Sequence, residues 1–325
     1  MSLTNALATT SLLTVEDCAA LLETFGERVR FDEPLAEYTS WKVGGPADAF
    51  AVAESEDEVA QVMALCFRRK LPWFVLGRGS NVLVGDGGLR GIVLRLDGAF
   101  TSIETRVDSG RVLIDAGASA KMETVTARAA SLGAIGIGSL AGIPGSVGGS
   151  LRMNAGTDRE FGEFVVEILV QSPSKPRPHA IAVQYFYRRT NLARDAVVAR
   201  VHLDFELGDP RQVREEMQAR LVRRKSTQPV ALPNAGSCFR NPPDDKAARL
   251  IEAAGCKGWR EGGAEVSTLH ANFINNVGGA NAKDVATLLA RVRRTVFEKF
   301  GVELQLEVHL VGVFVDDERE HAEES

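Results

Sequence analysis

The stretch "AGIPGSVGGSLRMNAG", residues 141–156, most constrains how this chain can fold, because it holds five glycines and a proline in sixteen residues. Such a composition disfavours long regular structure, and we expect none before Ser150. A segment so poor in side chains adds little to a core and leaves space for a ligand beside the main chain. Arg152 and Asn154 follow as polar groups close to that space, where an arginine can reach an anionic or planar group.

Two other glycine-rich turns precede this stretch, "VGGPAD" at 43–48 and "LGRGSNVLVGDGG" at 76–88. Glycines let backbone N–H groups approach an anion, and Ser80 and Asn81 add short hydrogen-bonding side chains. Each turn alone is equally typical of a tight connection between strands. Neither is a G-x-G-x-x-G leading into a helix, and neither is a Walker A loop. Together the three turns predict a pyrophosphate-bearing ligand held outside a Rossmann or P-loop fold.

Composition narrows the class of protein. The 325 residues predict two or three domains, and the net charge of −5 argues against nucleic acid or an anionic membrane as the main partner. Since no window approaches eighteen uninterrupted apolar residues, we expect no membrane span. The N-terminus lacks the pattern of a secretory signal, which predicts a cytoplasmic protein. The four cysteines are scattered and form no CxxC pair, so we expect buried thiols, without a disulfide framework or a metal site.

Hydrophobic periodicity and capping residues predict an α+β protein. The predicted helices lie at 14–26, around 59–66, and at 122–133, 208–226, 245–255 and 281–301. The predicted later strands lie at 164–172, 180–187, 196–207 and 303–315. The acidic end of the chain, "DDEREHAEES", predicts disorder.

Six fragments in order resemble the UDP-N-acetylenolpyruvoylglucosamine reductase (MurB) family, in its shorter subclass without a tyrosine-bearing loop. They are "GRGSNVLV", "AGIPGSVGGSLRMNAG", "YRRT", "NAGSCFRNPP", "GGAEVSTLHANFINN" and "ELQLEVHLVG", and the match runs from about Tyr38 to Gly312. The resemblance implies a two-subdomain FAD-binding fold of the vanillyl-alcohol-oxidase (PCMH) type and a C-terminal α+β substrate-binding domain. The predicted divisions are an N-terminal segment 1–27, subdomains 28–98 and 99–207, a substrate domain 208–314 and a tail 315–325.

The same resemblance implies the chemistry. Members of the family use NADPH to reduce a non-covalent FAD, which reduces the enolpyruvyl ether of UDP-N-acetylglucosamine to UDP-N-acetylmuramate for peptidoglycan. Hydride addition at the vinyl β-carbon leaves negative charge on the α-carbon and carboxylate, so cationic and proton-donating groups are needed. We expect a small-molecule UDP-sugar as partner, and a monomer or weak oligomer.

Site residues transfer position by position. The resemblance implies Ser237 as the proton donor, with Arg188 and Glu307 polarising the substrate carboxylate. From the residues alone, a turn serine and a solvated strand face are the favoured explanations of Ser237 and Glu307. The implied substrate-binding residues are Lys225, Asn241 and Tyr187. The implied cofactor-binding residues are Gly77, Arg78, Gly79, Ser80, Asn81, Gly145, Ser146, Gly149, Arg152 and Asn154.

Some positions depart from the family pattern. Gln305, Leu306 and His309 replace the usual glutamate, proline and arginine around Glu307. Trp41 and Lys42 stand where phenylalanine and arginine are more usual, and "TDREFGE" at 157–163 replaces small, aromatic and glycine residues. Two alternatives stay open: another FAD-dependent oxidoreductase of this fold acting on an alcohol or sugar, and a binding protein that has lost catalysis. A histidyl flavin link in the first half is impossible, because the first histidine is His179.

Overall fold

The computed structural model describes residues 11–314, and this part of the chain divides into two compact units. The units are discontinuous in sequence. The first contains the described residues before Asp32, with Ala49–Arg78 and Gly91–Arg224; the second contains Asp32–Asp48, Gly79–Arg90 and the described residues from Lys225 on. Each unit has its own apolar core. The segment boundaries given above stay a prediction, and the predicted disordered tail lies outside the described residues.

The predicted helices are confirmed, with one addition. Within residues 11–314 the helices are α1 (Val15–Phe25), α2 (Glu56–Arg69), α3 (Met122–Leu132), α4 (Val147–Arg152), α5 (Pro210–Thr227), α6 (Ala247–Ala253) and α7 (Ala282–Phe300). In α1 the Thr14 hydroxyl accepts from the Asp17 amide at 3.2 Å and the Asp17 carboxylate accepts from the Thr14 amide at 3.0 Å, a reciprocal cap. None of these helices is long and apolar enough to cross a membrane.

The addition is α4, which lies inside the glycine-rich stretch. Regular structure was expected no earlier than Ser150, but the helix begins at Val147. The reason is the residue before it, since the Ser146 hydroxyl accepts a hydrogen bond from the Gly149 amide at 3.4 Å and caps the first turn. Two consecutive glycines are therefore tolerated in a helix of six residues.

Short strands make up the sheets. In chain order they are β1 (Val29–Pro34), β2 (Pro46–Ala53), β3 (Trp73–Val75), β4 (Val82–Val84), β5 (Leu89–Leu96), β6 (Ile103–Asp108), β7 (Arg111–Gly117), β8 (Val165–Ser172), β9 (Lys175–Ala180), β10 (Tyr185–Phe186), β11 (Arg189–Thr190), β12 (Val197–Glu206), β13 (Arg260–Glu261), β14 (Ala264–Val266), β15 (Ile274–Asn276) and β16 (His309–Val311). One sheet has the order β1–β2–β5–β3. The first unit also contains an antiparallel sheet of order β6–β7–β12–β8–β9, and the second contains β13–β14–β15 and the parallel pair β16–β4.

Two predicted strands are wrong in part. The run 180–187 was expected to be one strand, but after Ala180 the chain is irregular until the short β10, whose hairpin with β11 turns at Tyr187 and Arg188. The closing strand was expected over 303–315, but among its described residues, 303–314, only His309–Val311 form a strand, which pairs in parallel with β4. Before it, Leu306 forms a single bridge to Phe239. Residues 303–307 are therefore not part of a strand, and Glu303, Gln305 and Glu307 do not form a strand face.

The core of the second unit is organised by Trp41 and α7. Trp41 is fully buried, and its indole N–H donates to the Ile274 carbonyl at 2.7 Å. The Asn276 side chain returns a hydrogen bond to the Trp41 carbonyl at 2.9 Å. At the start of α7, Asp86 accepts from the amides of Ala282 and Lys283, a favourable place for a carboxylate. The unusual tryptophan thus ties the "WKVGG" segment to β15.

Replacement of Trp41 by Phe should lower the free energy of unfolding by about 1–3 kcal/mol, because the buried Ile274 carbonyl loses its donor. Urea unfolding followed by circular dichroism measures this. The control is Trp73→Phe at the half-buried indole in β3, for which we expect a smaller loss. Equal losses in the two variants would show that the hydrogen bond contributes nothing.

Candidate functional site

A cavity in the first unit collects four of the predicted cofactor-binding residues. Gly77, Ser146, Gly149 and Arg152 all line it, together with apolar residues that include Leu76, Leu96 and Val198. The polar residues come from the turn after β3 and from the start and end of α4. The cavity, about 80 Å³ in volume, therefore has apolar walls, a cation and a glycine-lined side, a combination that ligand sites share.

Arg152 supplies the charge of this cavity. Its guanidinium donates to the carbonyl of Ala193 at 3.2 Å and to the carbonyl of Ala196. Burial lowers the pKa of Arg152, and the nearby charge of Asp195 partly opposes this. The group remains a cation whose hydrogen-bond partners within residues 11–314 are neutral carbonyl oxygens, so an anionic ligand would gain from approaching it.

The glycines of α4 offer space more than hydrogen-bond donors. The amides of Val147 and Gly148 donate to the carbonyls of Ala120 and Ala118 at 3.0 and 2.8 Å, and the Gly149 amide donates to Ser146. A Cβ added at Gly149 would meet nothing nearer than the Ser146 hydroxyl at 3.5 Å. Gly149 therefore leaves an open volume beside the cavity that the fold itself does not fill.

Other glycines serve the packing of the second unit. A Cβ on Gly45 would collide with the Asp86 carbonyl, and one on Gly79 with the Tyr38 carbonyl. Gly79 also has a positive φ of 61°, and its carbonyl accepts from the Ser40 amide at 3.0 Å. The turn at 43–48 and Gly79 are thus explained by close approach of main chains. Their part in ligand binding stays a prediction.

Asn81, predicted to bind the cofactor, contacts the segment that carries Glu307. Its side-chain amide donates to the Glu307 carbonyl at 3.0 Å, and its own carbonyl accepts from the His309 amide at 3.1 Å. The end of the "GRGSN" turn is therefore joined to the main chain of a predicted catalytic residue and of the segment that follows it.

Ser237 and Glu307, both half-buried, lie on adjoining segments of the second unit. The Cys238 carbonyl accepts from the Glu307 amide at 2.8 Å, and the Gln305 carbonyl accepts from the Arg240 amide at 2.8 Å. These bonds flank the bridge between Phe239 and Leu306. The structure thus brings together two residues that are seventy positions apart in the chain.

Cys238, next to Ser237, carries an unreactive thiol. It is buried, and desolvation, with a smaller contribution from the charge of Glu307, raises the pKa of its thiol to about 12. The thiol is therefore protonated at neutral pH and is a poor nucleophile. Of the two adjacent residues, the serine is the one with an accessible proton donor.

Arg188 sits at a strained position in the first unit. It has a positive φ of 57° in the turn between β10 and β11, a conformation that costs a non-glycine residue about 1–3 kcal/mol. Its guanidinium donates to the Gly156 carbonyl at 2.7 Å, lies 3.5 Å from Glu160 and stacks on the Tyr187 ring at 4.8 Å. Arg189 is exposed and stacks on Phe186. The two arginines thus differ, since the guanidinium of Arg188 is held by the protein and Arg189 lies at the surface.

Glu160 joins two predicted site residues and was not singled out from the sequence. One carboxylate oxygen faces Arg188, and the other accepts from the Asn154 side chain at 2.5 Å. Burial raises the pKa of Glu160, opposed by Arg188 and reinforced by Glu163. The signal was present in the unusual "TDREFGE" segment, but no spacing rule links an acid at 160 to an arginine at 188.

Asn154 is used by the protein itself. It is buried with a positive φ of 43°, donates to the Phe186 carbonyl at 3.1 Å and accepts from the Gly162 amide at 2.8 Å. Asn154 and Glu160 therefore connect the end of the glycine-rich stretch to the hairpin that carries Arg188. Contact between Asn154 and the cofactor stays a prediction.

The remaining predicted residues are distributed as follows. Lys225 is exposed in the last turn of α5, and Tyr187 is exposed in the β10–β11 turn. The Asn241 side chain accepts from the Ala247 amide at 3.0 Å at the start of α6. Arg78 is exposed, Ser80 is half-buried, and Gly145 has a positive φ of 121°. Asn272, which sequence reasoning also missed, contacts the residues after Ser237.

Comparison with known proteins adds two family models. Residues 228–311 match the C-terminal domain of UDP-N-acetylenolpyruvoylglucosamine reductase, and residues 47–171 match an FAD binding domain. The second range contains the cavity residues Gly77, Ser146, Gly149 and Arg152. An open volume at Gly149, apolar walls and the Arg152 cation suit a part of flavin adenine dinucleotide, so these residues would hold FAD.

Relatives cover nearly the whole chain. The chain is 40% identical over 285 residues to a UDP-N-acetylenolpyruvoylglucosamine reductase from Heliobacterium modesticaldum, covering 86% of this chain and 90% of that protein. It is 42% identical over 295 residues to one from Anaeromyxobacter dehalogenans strain 2CP-C, covering 90% and 88%. The crystal structure of the reductase (MurB) from Thermus caldophilus superposes with a TM-score of 0.73 at 33% identity, covering 85% and 97%.

Gly149→Ala tests whether the glycine clears space for FAD. Alanine is the better helix former and meets no close neighbour, so the free energy of unfolding should stay the same or rise by up to about 1 kcal/mol. FAD affinity should fall at least about tenfold, equivalent to ~1.4 kcal/mol, because the methyl group enters the cavity. Flavin titration and urea unfolding measure the two effects. Gly79→Ala is the contrast, since its Cβ collides with the main chain and should destabilise the fold. Unchanged FAD affinity in Gly149→Ala would remove Gly149 from the cofactor site.

Proposed function

This chain belongs to the UDP-N-acetylenolpyruvoylglucosamine reductase family, and we propose that it reduces UDP-N-acetylglucosamine enolpyruvate to UDP-N-acetylmuramate, using FAD and NADPH, in the synthesis of peptidoglycan precursors. The observation that carries the proposal is the pairing of the Ser237 and Glu307 segments through the Cys238 carbonyl. This pairing supports a common site for a proton donor and a carboxylate. An FAD-dependent oxidoreductase that acts on an alcohol or sugar does not require such a site.

The reaction asks three things of the protein. It must hold the enolpyruvyl group in place, stabilise the charge that develops on the α-carbon and carboxylate, and deliver one proton to the α-carbon. When bound, FAD supplies the hydride to the β-carbon, with NADPH as the source of electrons. All other tasks fall to side chains of this chain.

Ser237 gives its hydroxyl proton to the α-carbon. Because a serine hydroxyl is a weak acid, neighbouring charge or a proton relay must assist the transfer. Glu307, on the adjoining segment, polarises the substrate carboxylate. Arg188 provides a cation for the same carboxylate, and its half-buried position strengthens a charge-assisted hydrogen bond. Lys225, Asn241 and Tyr187 contribute to binding of the UDP-sugar.

The enzyme works in the cytoplasm as a monomer or weak oligomer and does not engage nucleic acid. Its four cysteines are free and buried, which is consistent with a reducing compartment. The net charge of −5 supports the absence of a nucleic-acid partner, since proteins that bind nucleic acid carry basic surfaces.

Ser237→Ala tests the function and the role of the serine together. In the wild-type protein, NADPH should bleach the flavin absorbance anaerobically, and the enolpyruvyl sugar nucleotide should restore it. In the variant, the first step should keep its rate, while the second should slow by about 100-fold or more, because the general acid is lost. Stopped-flow absorbance resolves the two steps.

Ser131→Ala, at an exposed serine in α3, serves as the control and should alter neither step. Flavin that is bleached by NADPH but not reoxidised by the substrate in the wild-type protein would favour another oxidoreductase. Wild-type protein that takes up no FAD would favour a non-catalytic role. Equal slowing of both steps in Ser237→Ala would remove the proposed role of the serine.

A further inference from the structure

The segment that carries Ser237 lies outside the helices and strands described above. Residues 234–241 are irregular apart from the single bridge at Phe239, and Gly236 has a positive φ of 78°. Upstream, the Asn234 side chain accepts from the Gly236 amide at 3.0 Å. A proton donor needs a defined position, so contacts downstream of the serine must restrict the main chain there.

Asn272 provides those contacts. Its carbonyl accepts from the Cys238 amide at 2.8 Å, its side-chain oxygen accepts from the Phe239 amide at 2.9 Å, and its side-chain nitrogen donates to the Phe239 carbonyl at 2.8 Å. Asn272 is 4% exposed, so water does not compete with these bonds. Both polar atoms of the buried Asn272 side chain therefore form hydrogen bonds with the main chain of one residue, Phe239, which lies two positions after Ser237.

The same main-chain segment is bound from its other edge by Glu307. The peptide group between Cys238 and Phe239 accepts through its carbonyl from the Glu307 amide at 2.8 Å and donates through its N–H to Asn272. A displacement of Asn272 would therefore be passed to the main chain of both Ser237 and Glu307.

Asn272 is itself held by the loop between β14 and β15. Its amide donates to Nδ1 of His270 at 3.3 Å, and the Phe273 amide donates to the His270 carbonyl at 3.0 Å. The Ser267 amide closes the loop by donating to the Phe273 carbonyl at 2.8 Å. The loop is short and anchored at both ends by β-strands, so Asn272 is a fixed reference point for the serine segment.

We propose that Asn272 is a positioning residue that holds Ser237 and Glu307 in register through the Cys238–Phe239 peptide group. The inference rests on the proposed function, because it assigns Asn272 to the protonation step of that reaction. Asn272 does not touch the reacting atoms. It acts by fixing the position of the Ser237 main chain. Its loss therefore slows proton delivery to the substrate and does not change the rate at which NADPH reduces the flavin.

Asn272→Asp is the sharpest test, because it keeps the shape and the acceptor for the Phe239 amide but removes the donor to the Phe239 carbonyl. At neutral pH, reoxidation of the reduced flavin by the enolpyruvyl sugar nucleotide should slow by about 10- to 100-fold, the effect of one unsatisfied buried hydrogen-bonding group. Reduction by NADPH should keep its rate. As pH falls, protonation of the introduced carboxyl restores a donor, so the ratio of variant to wild-type rate should rise.

The matched control is Asn275→Asp. Asn275 is 2% exposed, and its side-chain oxygen has no hydrogen-bond partner within the described part of the chain. The control introduces a similarly buried carboxyl three residues away and should show neither the selective slowing nor the pH-dependent recovery. Hydrogen–deuterium exchange by mass spectrometry at neutral pH supplies a readout without turnover. Because the introduced carboxylate repels the Phe239 carbonyl and so loosens the segment, peptides containing Cys238 and Phe239 should exchange faster in Asn272→Asp than in the control.

If Asn272→Asp does not fold, Asn272→Ser takes its place, with the same selective slowing and faster exchange expected but without the recovery in acid. The proposal is overturned if both steps slow equally, if neither slows, or if Asn275→Asp reproduces the pattern. Failure of the wild-type protein to reoxidise with the substrate would instead contradict the proposed function. In that case the exchange measurement still decides whether Asn272 holds the Cys238–Phe239 segment.

Discussion

The peptide group between Cys238 and Phe239 fixes the main-chain positions of the candidate catalytic residues Ser237 and Glu307 in the second unit. Its carbonyl accepts from Glu307 and its N–H donates to Asn272, so three segments distant in sequence meet at one planar group. Asn81 adds a fourth segment by donating to the Glu307 carbonyl. A serine in an irregular loop can serve as a proton donor only if such contacts fix its main chain, since catalysis is sensitive to displacements of the order of an ångström.

The glycines of this chain have two different physical roles. Gly45 and Gly79 let main-chain segments approach so closely that a Cβ would collide with a carbonyl oxygen. Gly149 faces open volume beside a cavity with apolar walls and the half-buried Arg152. The first kind is a requirement of the fold, whereas the second is not, which is why we propose that it leaves space for a ligand. Composition treats the two alike, because both raise the glycine content of a turn.

Local patterns in the sequence predicted most of the fold. The reciprocal cap at Thr14 and the stop at Gly133 are short-range signals, and α1 and α3 begin and end where they indicate. The closing strand was overestimated because its apolar alternation continues through 303–308, where tertiary contacts with Phe239 replace sheet pairing. For the candidate site, motifs predicted Ser237 and Glu307, which the structure places on adjoining segments, but did not single out Glu160 and Asn272. Both act through contacts with residues far along the chain, at 188 and 238–239, which no local pattern encodes.

The central claim is that main-chain contacts hold Ser237 where it can protonate the substrate. An experimental structure of the protein with FAD and the enolpyruvyl sugar nucleotide bound tests this most directly. The account predicts the Ser237 hydroxyl oxygen within about 3.5 Å of the substrate α-carbon, with the bonds from Cys238 and Phe239 to Asn272 and Glu307 intact. A serine well beyond that contact distance, or a bound state in which those main-chain bonds are broken, would contradict it.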